Sequence, residues 1–121
     1  MKKNARVVVV GGGVVGVSTL YHLAKKGWTD VVLVERKELT SGSTWHAAGL
    51  LPLFNMSYSV GKLHQYSVNF YHELEKETEQ NVGVSVVSNI RLASTEDRMD
   101  EYRYYAGVAQ TVGVEVSFLT P

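Results

Sequence analysis

The chain has 121 residues, 45% hydrophobic and 20% charged, with 12 basic and 12 acidic residues that cancel to no formal net charge. That composition fits neither a disordered nor a membrane-spanning chain, and the balanced charge gives no reason to expect nucleic acid or anionic lipid as a partner. Cysteine is absent, which excludes disulfides, thiolate chemistry and cysteine-based zinc sites.

The start, Met1-Lys2-Lys3-Asn4, resembles the charged end of a secretory signal, but the apolar run behind it is only Val7–Val10 and meets three glycines. That is too short for a signal core or a membrane span, so the cytoplasm is the default expectation. Residues 5–10 (ARVVVV) are a continuous β-branched run, which predicts a strand buried on both faces, as in a parallel sheet. After the glycines, Val17, Leu20, Tyr21 and Ala24 follow helical spacing. The helix should stop near Gly27, with Lys25 and Lys26 at its negative end. Residues 30–35 (DVVLVE) read as a second buried strand and complete a β-α-β unit.

A loop is expected from residue 36 to 59. Ser59 is expected to cap a helix over residues 60–80 with Leu63, Ser67, Phe70 and Leu74 on one face. Residues 83–88 and 89–94 read as two short strands joined at Ser88-Asn89. A third helix is predicted over residues 96–112, with Met99, Tyr102, Ala106 and Ala109 inward and Gly113 as its stop. Residues 114–119 read as a last strand, followed by Thr120-Pro121. Only two strands clearly belong to the first sheet, so the chain reads as the first part of a larger protein, truncated at residue 121.

The chemistry sits first in Gly11-x-Gly13-x-x-Gly16. Gly11 permits the tight turn after the strand, Gly13 lets backbone approach a pyrophosphate, and Gly16 lets the helix pack close to the strand. The helix N-terminus offers free N–H groups and positive dipole to phosphate. Glu35 follows roughly twenty residues later, where an acidic side chain accepts hydrogen bonds from ribose hydroxyls. A carboxylate there disfavours a 2′-phosphate. FAD and NAD both fit these features.

The next stretch chooses between them. "VVVVGGGVVGVSTLYHLAKKGWTDVVLVERKELTSGSTWHAAGLL" and the later "NIRLASTEDRMDEYRYY" resemble the N-terminal FAD-binding segment of the dimethylglycine dehydrogenase and sarcosine dehydrogenase family, glycine-oxidase-like flavin amine oxidoreductases. The resemblance implies a Rossmann-like α/β fold, part of a two-domain flavoenzyme. It implies that Val14, Val15, Glu35, Arg36 and the loop Gly42, Ser43, Thr44, Trp45, His46, Ala47, Ala48, Gly49 and Leu50 line FAD. It also implies that His46, in "STWHAAG", is bonded covalently to the flavin 8α-carbon. The residue types agree: small residues allow close approach, Ser43 and Thr44 offer hydroxyls, and a neutral imidazole is a competent nucleophile.

The function so implied is FAD-dependent oxidative N-demethylation of dimethylglycine or sarcosine, with an electron-carrier protein or oxygen as acceptor. Tetrahydrofolate would require a domain outside these residues, and no catalytic acid or base can be named within them. The readings set against it are a stand-alone dinucleotide-binding module without chemistry and an NAD-dependent dehydrogenase domain. His64 and His72 are not spaced as a metal pair, so no metal site is expected. The acids Glu73, Glu75, Glu77 and Glu79 read as a solvated surface, and Tyr102, Tyr104 and Tyr105 as packing residues.

Overall fold

The computed structural model describes residues 3–120. The first two residues of the signal-like start, Met1 and Lys2, and the terminal Pro121 lie outside the described residues. The chain divides into two compact units, Met1–Leu50 and Leu51–Pro121.

The first unit is the β-α-β unit: β1 (Val7–Val10), α1 (Val14–Lys25) and β2 (Val31–Val34). The strands are parallel, with Val7 opposite Val31 and Val10 opposite Val34. Parallel neighbours need a crossover, which α1 supplies. The ladder is extended by Gly11 N–H donating to the Val34 carbonyl at 2.8 Å. α1 stops where expected: Gly27 takes φ +83°, and its N–H donates to the Ala24 carbonyl at 2.9 Å.

Two expectations are corrected here. The strands are not buried on both faces. Val7 and Val9 are half-covered while Val8 and Val10 are exposed, because α1 covers one face and nothing within this unit covers the other. The covered face of α1 is also rotated, to Gly16, Leu20 and Leu23, leaving Val17 and Ala24 exposed. Gly16 sets this rotation: a Cβ there would lie 1.9 Å from the Gly11 carbonyl oxygen, so the helix meets the turn through its glycine.

The second unit holds α2 (Tyr58–Thr78) and α3 (Glu96–Thr111). Ser57, not Ser59, caps α2: its side chain accepts from Val60 N–H. Thr95 caps α3 in the same way through Arg98 N–H. The helices meet at Gly61, where a Cβ would lie 3.2 Å from both Val112 methyl carbons. Gly61 is accordingly the buried residue of α2, whereas Leu63 is 62% exposed. On the α3 side the buried residues are Tyr105, Ala106, Ala109 and Val112; Met99 and Tyr102 are only half-buried. Phe54 lies against Tyr102 and Tyr105, with the Arg91 guanidinium over its ring at 4.7 Å. Gly113 stops α3 at φ +81°.

The three strands predicted at residues 83–88, 89–94 and 114–119 do not form. A strand is completed only by a neighbour's N–H and C=O groups, and among the described residues the sole ladder joins β1 to β2.

Candidate functional site

The glycine turn is the foundation of the site. Gly11 takes φ +107°, a conformation that side chains rarely adopt. Gly12 is buried, and a Cβ on it would lie 2.6 Å from Leu39 Cδ2 and 3.1 Å from Glu35 Cβ. Its N–H donates to Glu35 Oε2 at 2.7 Å. The other carboxylate oxygen accepts from Lys37 N–H at 2.9 Å. These bonds, Gly12's first, hold the Glu35 carboxyl below the usual carboxylate range. The group is therefore charged at neutral pH. A carboxylate has about four acceptor positions, and the Gly12 and Lys37 N–H groups occupy one on each oxygen.

The loop after β2 folds back onto the turn. Thr40, at φ +66°, donates its N–H to the Gly12 carbonyl at 3.0 Å and accepts from Trp45 N–H at 3.1 Å. A short 3-10 turn follows at Ser43–His46. From it the Thr44 hydroxyl accepts a hydrogen bond from Val14 N–H, at 2.9 Å, in the first turn of α1. No side chain of the N-cap residue, Gly13, does this.

His46 closes the 3-10 turn on itself, its Nδ1 lying 3.0 Å from the Gly42 carbonyl oxygen. A carbonyl only accepts, so Nδ1 carries the proton of the neutral ring and Nε2 keeps a free lone pair. The Trp45 ring stands edge-on to the imidazole at 6.1 Å and is 73% exposed.

Between turn and loop lies an open cleft of about 440 Å³, within the usual range of small-molecule and cofactor sites. Gly13, Val14, Val15 and Glu35 line one side; Gly42, Ser43, Thr44 and Ala47 line the other. Thr40 and Ser41 also line it, and sequence reasoning missed both, together with Gly12. Gly12 had a signal, since it is a third glycine inside the fingerprint; a β-branched residue at positive φ such as Thr40 has none. Gly11 and Gly16 act beneath the cleft by shaping the turn. Arg36, Trp45, His46, Ala48, Gly49 and Leu50 are not among the lining residues. Of these, Gly49 takes φ +71° and Leu50 is 80% exposed.

The family model for FAD-dependent oxidoreductases matches residues 6–121. This chain belongs to that family. It is 52% identical over 103 residues to mitochondrial dimethylglycine dehydrogenase of Rattus norvegicus, covering 85% of this chain and 12% of that protein. It is 42% identical over 122 residues to mitochondrial sarcosine dehydrogenase of Homo sapiens, covering 100% of this chain and 13% of that one. It is 38% identical over 117 residues to the formaldehyde-forming 4-methylaminobutanoate oxidase of Paenarthrobacter nicotinovorans, covering 97% and 14%. The chain thus spans only a small part of the relatives it matches. Its parallel β-α-β unit belongs to the Rossmann-like FAD-binding fold. Among the described residues no helix is long and apolar enough to cross a membrane.

Proposed function

We propose that this chain supplies the adenosine- and pyrophosphate-binding part of a flavoenzyme that oxidatively demethylates an N-methylated glycine, dimethylglycine or sarcosine. Residues 1–121 are the N-terminal part of its FAD-binding domain. One observation carries the reading. The hydrogen bonds from Thr40 N–H to Gly12 and from Val14 N–H to Thr44 close the loop over the first turn of α1, so that Gly13, Val14, Val15 and Glu35 share one cleft with Gly42, Ser43, Thr44 and Ala47, His46 ending the same 3-10 turn.

The residues present fit FAD. Gly13 carries no Cβ beside the Thr44 hydroxyl, 3.0 Å from where one would be, which leaves backbone open to a pyrophosphate. Of the first-turn N–H groups of α1, that of Val14 is taken by the Thr44 hydroxyl; those of Val15 and Gly16 have no intrahelical partner and face phosphate with the positive helix end. Glu35 accepts from the ribose hydroxyls. His46 presents Nε2, the unprotonated nitrogen, to the flavin 8α position for a covalent bond. When bound, FAD supplies the redox chemistry, accepting hydride from the substrate N-methyl carbon. The protein's part is to hold it, keep Glu35 charged and keep Nε2 free. The electrons leave for an electron-carrier protein or oxygen, and any transfer of the one-carbon unit to tetrahydrofolate belongs to a domain outside these residues.

The test is anaerobic mixing of the natural protein with dimethylglycine, sarcosine or 4-methylaminobutanoate. Bleaching of the flavin absorbance by either glycine derivative is expected. Bleaching by 4-methylaminobutanoate alone would reassign the substrate, and a bound flavin that no amine bleaches would favour the non-catalytic dinucleotide module.

A further inference from the structure

We propose that Thr44 is a positioning residue for flavin attachment: its hydroxyl anchors the 3-10 turn to the N-terminus of α1 and so fixes where His46 stands. The inference rests on the reading of His46 as the attachment residue. Three of the hydrogen bonds that shape this loop are internal to it: Trp45 N–H to Thr40, Ala47 N–H to Thr44, and His46 Nδ1 to Gly42. They fix the turn's shape but not its place. Two hydrogen bonds tie the loop to the glycine turn and helix. Thr40 N–H to the Gly12 carbonyl is backbone to backbone and lies before the 3-10 turn. Thr44 Oγ1, accepting from Val14 N–H at 2.9 Å, is the tie that grips the 3-10 turn itself. His46 ends that same turn, so its location relative to the phosphate-binding helix end passes through the Thr44 hydroxyl.

The bond that Nε2 makes demands such placement. Attachment forms one N–C bond at the 8α-carbon. One proton leaves that carbon and one leaves the imidazole, and dissolved oxygen takes them with two electrons as hydrogen peroxide. Such a step requires reacting atoms about 3–3.5 Å apart, and a misplacement of about 1 Å can cost a hundredfold in rate. Reversible FAD binding has a looser demand; since Thr44 lines the cleft and bonds the helix end, its part in attachment is read at saturating FAD, where affinity no longer limits the rate. The proposal therefore concerns the attachment rate of FAD-saturated protein, which a role in FAD affinity alone would leave unchanged.

The experiment uses the natural protein, produced without flavin, mixed with FAD under air and sampled over time. Gel filtration reads total FAD held by the native protein, and acid precipitation reads the attached fraction. Thr44→Val keeps the side chain's shape and removes the hydroxyl. With FAD raised to saturation, it is expected to slow attachment at least about tenfold, whatever its effect on FAD affinity. Thr44→Ser keeps the hydroxyl and is expected to attach at the wild-type rate. Wild-type attachment in Thr44→Val overturns the proposal. So does a slowing that disappears at saturating FAD, a Thr44→Val protein that does not fold, or a Thr44→Ser protein as slow as Thr44→Val. Wild-type protein that never acquires acid-stable flavin removes the reading of His46 itself, and this inference with it.

Discussion

The Glu35 carboxylate sits between two backbone N–H donors, Gly12 and Lys37, and this makes it sensitive to acid in one direction only. A carboxyl held below its ordinary range stabilises the folded turn above its unfolded pKa and loses that contribution as pH falls through the folded value. FAD retention that depends on Glu35 should therefore be level between about pH 8 and pH 5 and fall below the carboxylate range. Glu35→Gln removes the charge from the ribose and Gly12 bonds, and should weaken reversible FAD binding roughly tenfold or more. Fluorescence titration of a His46→Ala protein, where no covalent bond intervenes, measures this. Unchanged affinity would show that Glu35 is not the ribose ligand. The tight turn at Gly11, the close packing at Gly16 and the charge at Glu35 were legible in the sequence because each follows from local chemistry: a missing Cβ or a carboxylate at a strand end. Thr44's hold on Val14 was not, since it joins residues thirty positions apart and leaves no spacing pattern.

Glycine contacts, more than apolar faces, decide how the elements meet. Gly16→Ala drives a Cβ into the Gly11 carbonyl oxygen at 1.9 Å. Backbone cannot swing aside, so the gain in helix propensity of about 1 kcal/mol is outweighed and a net loss of about 1–3 kcal/mol is expected. Gly61→Ala meets only Val112 methyls at 3.2 Å; a shift of a few tenths of an ångström relieves that. The propensity gain then nearly offsets the strain, leaving a change within about 1 kcal/mol. Thermal melts of the two proteins should separate clearly, and equal effects would contradict the packing described. Ser57→Ala should cost about 0.5–1 kcal/mol through loss of the α2 cap, and Ser59→Ala close to nothing. These contacts explain what the sequence hid. Helical spacing announced all three helices, but its apolar faces pointed to Val17 and Leu63, because glycine at an interface carries no hydrophobic signal. The alternation at residues 83–94 and 114–119 records a preference for extended backbone, and preference without a pairing neighbour does not make a strand.

At the scale of the whole molecule, much apolar surface faces solvent: Val10, Val15, Val86, Val87, Ile90 and Leu92 are each at least 76% exposed. Apolar surface on this scale marks places where further protein surface belongs. The 121-residue polypeptide expressed alone should bind hydrophobic dyes and aggregate, and a monodisperse, cooperatively melting product would contradict this. In the function proposed, the first turn of α1, Glu35 and the 3-10 turn form one FAD site with His46 at its flavin end. Acid precipitation of the natural protein, followed by proteolysis and peptide mass measurement, tests it most directly. The precipitate should stay yellow and a peptide containing His46 should carry the mass of the flavin, with His46→Ala releasing all flavin into the supernatant. Flavin lost entirely from the wild-type precipitate, or found on another peptide, would contradict it.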